Sequence, residues 1–148
     1  MVIFMLIIGS DHGGYELKEQ ICDFLEGKNI KFNDLGTYST DSVDYPDIAK
    51  QVCQDVVKSQ GKGILICGTG IGMSMAANKV KGIRAALCAN IYDSKMARKH
   101  NNANVLCLGG RVIGKELAFH IVEVFLNTQF ESGRHKRRVN KIMEIEKD

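Results

Sequence analysis

Five short apolar runs lie along this chain, separated by longer stretches in which apolar residues recur every three or four positions. Residues 2–9, 30–35, 64–67, 83–88 and 105–108 read as five strands. The runs at 2–9 and 64–67 do not alternate, as expected of strands buried on both faces of a parallel sheet. Helical stripes fill the gaps. Leu17, Ile21, Phe24 and Leu25 share one face after the first strand. Ala49, Val52 and Val56 form the inner face of a helix whose first turn holds Pro46, the only proline, with its φ already set for a helix. Further helices are expected over 73–80, around 93–100, over 114–127 and in a charged tail from Arg134.

Strands alternating with helices at this spacing predict one domain over residues 1–148. The expected class is α/β: a three-layer α/β/α Rossmann-like fold with a five-stranded parallel sheet and a C-terminal helical tail. Right-handed crossovers place strand 1 between strands 2 and 3, and the chain's reversal there opens a crevice at their carboxyl ends. Two motifs meet at that crevice, Gly9-Ser10-Asp11-His12-Gly13-Gly14 and Cys67-Gly68-Thr69-Gly70-Ile71-Gly72.

The second motif carries the most chemistry. Its glycines let the backbone approach a ligand, and the N–H groups opening the next helix can hold an anion. A thiol beside such amides is expected to have a depressed pKa, which favours the thiolate that acts as base or nucleophile. A tight turn with a buried cysteine is the competing reading. The spacing is G-x-G-x-G, with Met73 where a dinucleotide fingerprint needs its third glycine, and no G-x-x-x-x-G-K-[ST] occurs. Nicotinamide cofactors and nucleoside triphosphates are therefore disfavoured. Asp11 either caps a helix or serves a ligand together with His12. His100 either closes a helix beside Asn101 and Asn102 or acts as a general acid or base. Arg134, Arg138 and Lys141 share a helical face suited to clamping one phosphate group, the alternative being a solvated basic tail. His120 reads as a core or flank residue.

Composition narrows this further. The 45% hydrophobic and 25% charged fractions are those of an ordinary globular protein. A net charge of +3 is too small to imply nucleic acid, and no aromatic residues interleave the basic run at 134–138. Five widely spaced cysteines without a C-x-x-C pair point to free thiols in a reducing compartment. Cys22, Cys53, Cys88 and Cys107 are expected as small apolar fillers. The apolar start is too short to span a membrane and has no basic leader or cleavage site, so a cytoplasmic protein without membrane association is expected. No His, Asp or Glu cluster has metal-ligand spacing, and the site is expected to be metal-free.

The two crevice motifs, with Asp44-Tyr45-Pro46, Ala76-Ala77-Asn78-Lys79, Gly82-Ile83-Arg84-Ala85, Arg98-Lys99-His100-Asn101 and Gly133-Arg134-His135 with Arg138, resemble the type B ribose-5-phosphate isomerases. Isomerases of allose 6-phosphate and galactose 6-phosphate belong to the same family and provide the alternative substrates. Keeping Cys67 and His100 in one chain favours a self-sufficient enzyme, since the galactose type divides them between two chains. The match runs in order over nearly the whole chain. About four residues precede the usual beginning, which makes Met5, rather than Met1, a candidate natural start.

The resemblance implies conversion of ribose 5-phosphate to ribulose 5-phosphate without a cofactor. It assigns Cys67 as the base that moves a proton between C2 and C1 through an enediolate, and His100, with Asp11, to ring opening. Thr69 assists proton movement, and the amides of Gly68, Thr69, Gly70, Ile71 and Gly72 steady the anion. His12, Arg134 and Arg138 grip the phosphate, while Tyr45, Asn101 and Arg111 line the sugar. It also implies a homodimer, or a dimer of dimers, with His100 and the arginines supplied by the partner chain.

Overall fold

Burial on both faces explains the uninterrupted apolar runs. In the computed structural model, which describes residues 4–147, every residue of β1 (Leu6–Ser10) and β5 (Val105–Gly109) is buried. So is all of β3 (Lys62–Cys67) beyond its first residue. Between and after them come α1 (Tyr15–Gly27), β2 (Asn33–Asp34), α2 (Tyr45–Ser59), α3 (Ile71–Ala77), β4 (Ala85–Leu87), α4 (Ile91–Lys99), α5 (Lys115–Asn127) and α6 (Arg134–Glu144). The strands pair in parallel in the order β2-β1-β3-β5-β4. Strand 1 thus lies between strands 2 and 3, as the crossover argument requires.

Two cores flank the sheet. Leu6, Ile8, Ile64, Ile66, Leu106 and Leu108 pack with the Leu17–Ile21–Leu25 stripe of α1, with Ala97 of α4 and with Ile121 and Phe125 of α5. The opposite face, with Ile7, Leu65, Cys67 and Val105, packs on Ala49, Val52 and Val56 of α2 and on Met73 and Ala77 of α3. Phe24 is only partly buried and stacks on Phe119 at 4.6 Å between ring centroids. Pro46 lies in the first turn of α2, as its geometry demands.

Several boundaries differ from the apolar pattern. Strand 1 starts at Leu6; of the earlier part of its run, Val2 and Ile3 lie outside the described residues, as does Met1. Strand 2 contracts from 30–35 to two residues, because Ile30 and Phe32 pack against the core instead of pairing along the edge. Strand 4 contracts to Ala85–Leu87, and the preceding Arg84 N–H donates to Asn104 Oδ1 at 2.8 Å. The third helix starts earlier than 73 and stops at Ala77, beyond which the Asn78 side chain bonds both backbone groups of Ala85 at 2.8 and 3.0 Å.

A charge sits where the helical stripe of α1 would take an apolar residue. Lys18 is 0% exposed, with Nζ donating to Asp34 at 2.6 Å and to Glu19 at 3.0 Å, between the Tyr15 and Tyr38 rings. Burial opposes its charge, but the hydrogen bonds to Asp34 and Glu19 outweigh that and raise its pKa. The other Asp34 oxygen accepts the Gly36 N–H at 2.9 Å. The strap so anchored pairs with the end of β1, where Ser10 N–H donates to Gly36 O at 2.7 Å and Ser10 O accepts the Thr37 N–H at 2.8 Å. Lys18 therefore fixes the strap beside Asp11. Lys18→Met should cost about 1–3 kcal/mol in urea unfolding, because it leaves the Asp34 carboxylate without its cation. Lys28→Met, which removes an exposed pair to Glu123 spanning 3.6 Å, should cost under about 1 kcal/mol. Equal losses would show that the buried pair anchors nothing.

Candidate active site

Parallel strands leave unpaired backbone groups at their carboxyl ends, and here three loops satisfy one another. Asp11 N–H donates to Ile66 O at 3.2 Å, Gly110 N–H to Cys67 O at 2.8 Å, and Arg111 N–H to Gly68 O at 2.9 Å. The approach is close enough to demand glycine. A Cβ on Gly13 would lie 3.2 Å from Gly68 N, and one on Gly14 would collide with the Ile66 carbonyl. A crevice opens at these strand ends, lined by the segments that follow β1 and β5.

Cys67 ends β3 at this crevice. Its Sγ accepts the Gly70 N–H at 3.1 Å, a donor aimed where negative charge on sulfur would need solvation. Gly70 has φ +81°, the left-handed turn that brings its amide back to the sulfur. Ile71 N–H bonds Thr69 Oγ1 at 3.2 Å, so two amides of the loop are engaged within it. The N–H groups of Thr69 and Gly72 have no partner among the described residues. Around the loop, the Arg111 guanidinium lies against Gly68, and the Tyr45 ring lies 2.6 Å from where a Gly72 Cβ would sit.

Asp11 does not cap α1 through the helix N-cap, which is Gly14 without a side-chain bond. Its buried carboxylate instead accepts the Gly14 N–H through Oδ1 at 3.1 Å and holds the loop. His12 Nδ1 accepts the Val43 N–H at 3.2 Å, which leaves Nε2 as the donor of a neutral ring. His12 lines a cavity of about 430 Å³ with Glu16, Gln20, Thr40, Arg111 and Lys115. Of these, only His12 and Arg111 were legible beforehand; the others are ordinary surface types with no distinguishing spacing.

The remaining candidates lie elsewhere. Helix α4 runs back from the carboxyl edge and delivers His100 and Asn101 before β5 begins. Gly63 at the amino end of β3 pairs with Val105 and donates to Asn104 O at 2.9 Å, whereas Cys67 pairs with Gly109. The length of the strand, roughly 3.3 Å per residue, therefore separates Cys67 from His100 within one chain. His100 N–H closes the helix on Met96 O at 2.9 Å, and Asn102 takes φ +49°. The His100 ring stacks on His135 of α6 at 4.1 Å, and Arg134, Arg138 and Lys141 are exposed on that helix. The structure thus unites Asp11, His12, Tyr45, Cys67, Gly68, Thr69, Gly70, Ile71, Gly72 and Arg111, and sets His100, Asn101, Arg134 and Arg138 apart.

One grouping was not read from the sequence. His100, Glu131 and His135 place donor atoms within 4.8 Å of one another, a grouping able to hold a metal ion. Spacing concealed it because the fold brings His100 across from a distant segment. Burial, then His100 and Arg134, hold His135 below the usual histidine range, while Glu131 pulls the other way. His120 is exposed on α5. Burial pushes the Cys22, Cys53 and Cys88 thiols up to about 12 and Cys107 well above its ordinary value. These four are inert fillers. All five cysteines are free.

Residues 6–142 match the model of the family described as Ribose/Galactose Isomerase. Ribose-5-phosphate isomerase B of Escherichia coli is 46% identical over 142 residues, 95% of this chain and 95% of its own. A ribose 5-phosphate isomerase of Thermotoga maritima is 54% identical, covers 97% of this chain and 99% of its own, and superposes with a TM-score of 0.94. Ribose-5-phosphate isomerase B of Mycoplasma genitalium, solved with bound ribulose-5-phosphate, is 46% identical, covers 100% and 99%, and also gives 0.94.

The loop geometry makes a stability prediction. Gly70→Ala strains a left-handed residue and puts a Cβ 2.5 Å from Leu87 Cδ1, which should cost about 1–3 kcal/mol in urea unfolding. Gly27→Ala, with nothing within 4 Å, should be neutral or slightly stabilising. A Gly70→Ala protein as stable as wild type would contradict the packing described.

Proposed function

Because the chain belongs to the ribose/galactose isomerase family, we propose that it interconverts D-ribose 5-phosphate and D-ribulose 5-phosphate as a cofactor-independent aldose–ketose isomerase. The observation that carries this reading is the Cys67 sulfur at a strand end, facing an amide donor, with the Cys67 carbonyl bonded to Gly110 of a cavity that Arg111 and Lys115 line beside Glu16. Similarity to an enzyme solved with ribulose-5-phosphate supports the five-carbon substrate over the six-carbon alternatives.

The chemistry follows from the groups present. His100 passes the proton of the anomeric hydroxyl to the ring oxygen, which opens the furanose and frees the C1 aldehyde. Cys67, as thiolate, takes the proton from C2, and the electron pair moves to the C1 oxygen to give an enediolate. Return of that proton to C1 and transfer of the O2 proton to O1 leave the C2 ketone. The unpartnered amides of Thr69 and Gly72 face the developing oxyanion, where preorganised donors count most. Thr69 Oγ1 already accepts from Ile71, so its hydroxyl proton is free to serve a sugar oxygen. Asp11 holds the loop and the substrate hydroxyls. His12 and Arg111, sharing one cavity, take the phosphate with Arg134 and Arg138, while Tyr45 and Asn101 bound the sugar.

A site of this kind needs both edges of the sheet, so the working unit is a homodimer in which each crevice receives His100, Asn101, Arg134 and Arg138 from the other copy. Five free cysteines suit the cytoplasm, and the reaction belongs to the pentose phosphate pathway. Among the described residues no helix is long and apolar enough to cross a membrane.

Exchange of solvent deuterium into C2, followed in the presence of a chelator, tests the assignment. Wild-type protein should label recovered sugar, and Cys67→Ala should show no exchange above background while still binding the sugar phosphate. Exchange by the alanine variant at near the wild-type rate would mean another residue is the base.

A further inference from the structure

His100, Glu131 and His135 form a second group of donors, and only His100 has a part in the reaction proposed above. The His135 side chain is 8% exposed, and its Nε2 has no hydrogen-bond partner among the described residues. A buried imidazole nitrogen left unpaired is destabilising unless something binds it. What faces it is polar. Glu131 Oε1 lies 3.8 Å away, too far for a hydrogen bond, and the His100 ring lies parallel at 4.1 Å and 11°. Two imidazoles and a carboxylate are a donor set suited to borderline divalent cations, with three protein ligands and an open fourth position.

We propose that His100, Glu131 and His135 form a binding site for Zn²⁺ or a divalent cation of the same class, with water as the fourth ligand. Tetrahedral bonds of about 2.0–2.1 Å space the donors roughly 3.4 Å apart, so groups already within reach of one another close by side-chain rotation. Buried His135 is the fixed member. Glu131, whose side chain is 46% exposed, and the half-buried His100 are the adjustable ones. A bound cation occupies a ring nitrogen of His100 and so withdraws that imidazole from proton transfer, which makes the site inhibitory. Binding rests on the cluster alone, whereas inhibition rests on the ring-opening role proposed for His100.

Calorimetric titration of Zn²⁺ into metal-stripped protein separates these claims. Wild type and Cys67→Ala should each bind about one ion per chain, with affinity at least tenfold weaker in Glu131→Gln and His135→Gln. Undiminished affinity in Glu131→Gln, or loss of binding in Cys67→Ala, would overturn the site; the exposed Glu131 keeps the test decisive should His135→Gln fail to fold. In turnover, Zn²⁺ should slow wild type on the cyclic sugar and Glu131→Gln at least tenfold less, with an open-chain substrate spared. Zn²⁺ that binds as expected yet slows both substrates equally supports the site and removes ring opening from His100.

Discussion

Parallel strands stop with backbone donors and acceptors unpaired, and the ends of β1, β3 and β5 meet that need by bonding to one another. Asp11 to Ile66, Gly110 to Cys67 and Arg111 to Gly68 are the bonds concerned. They require three backbones to approach closely enough that Gly14 has no room for a Cβ and Gly13 has little. With the loops fixed, the rest follows. The left-handed Gly70 returns its amide to the Cys67 sulfur, and Arg111 is laid along Gly68. Backbone hydrogen bonding thus gathers a thiol, amide donors and a guanidinium at the same strand ends.

The same topology divides the chemistry. Crossover helices return each chain segment to the amino edge, so α4 ends with His100 on the side of the sheet where β3 begins, away from Cys67 at its end. Helix α6 joins it there: Glu146, just beyond the helix, accepts the Gly82 N–H at 3.0 and 3.1 Å, and His135 stacks on His100. One copy therefore carries Cys67 at one edge, and two stacked histidines beside exposed arginines at the other. In the dimer proposed above, a two-fold axis would bring these unlike edges together twice, which closes the pair.

The layered fold was legible because burial on both faces leaves a continuous apolar run, as at 64–67 and 105–108, and because helix stripes such as Leu17–Ile21–Leu25 are periodic. Edge strands leave weaker marks. Ile30 and Phe32 are apolar for the core's sake, not for pairing, so they lengthened the apparent second strand. Buried charge was illegible for a related reason: Lys18 looks like any surface lysine until Asp34 is folded onto it. At the site, residues on glycine-rich strand ends announced themselves, whereas Glu131 and His135 did not. Their meaning depends on His100 arriving from another part of the chain, a long-range contact that local spacing does not record.

The claim that one site is built from two chains is open to a direct measurement. Cys67→Ala and His100→Asn proteins, each inactive alone on the cyclic substrate, are mixed, allowed to exchange subunits and assayed. Random pairing makes half the dimers hybrid, each with one complete site, so activity should recover to roughly a quarter of wild type. No recovery after verified exchange would mean that Cys67 and His100 act within one chain, contrary to their placement at opposite edges of the sheet.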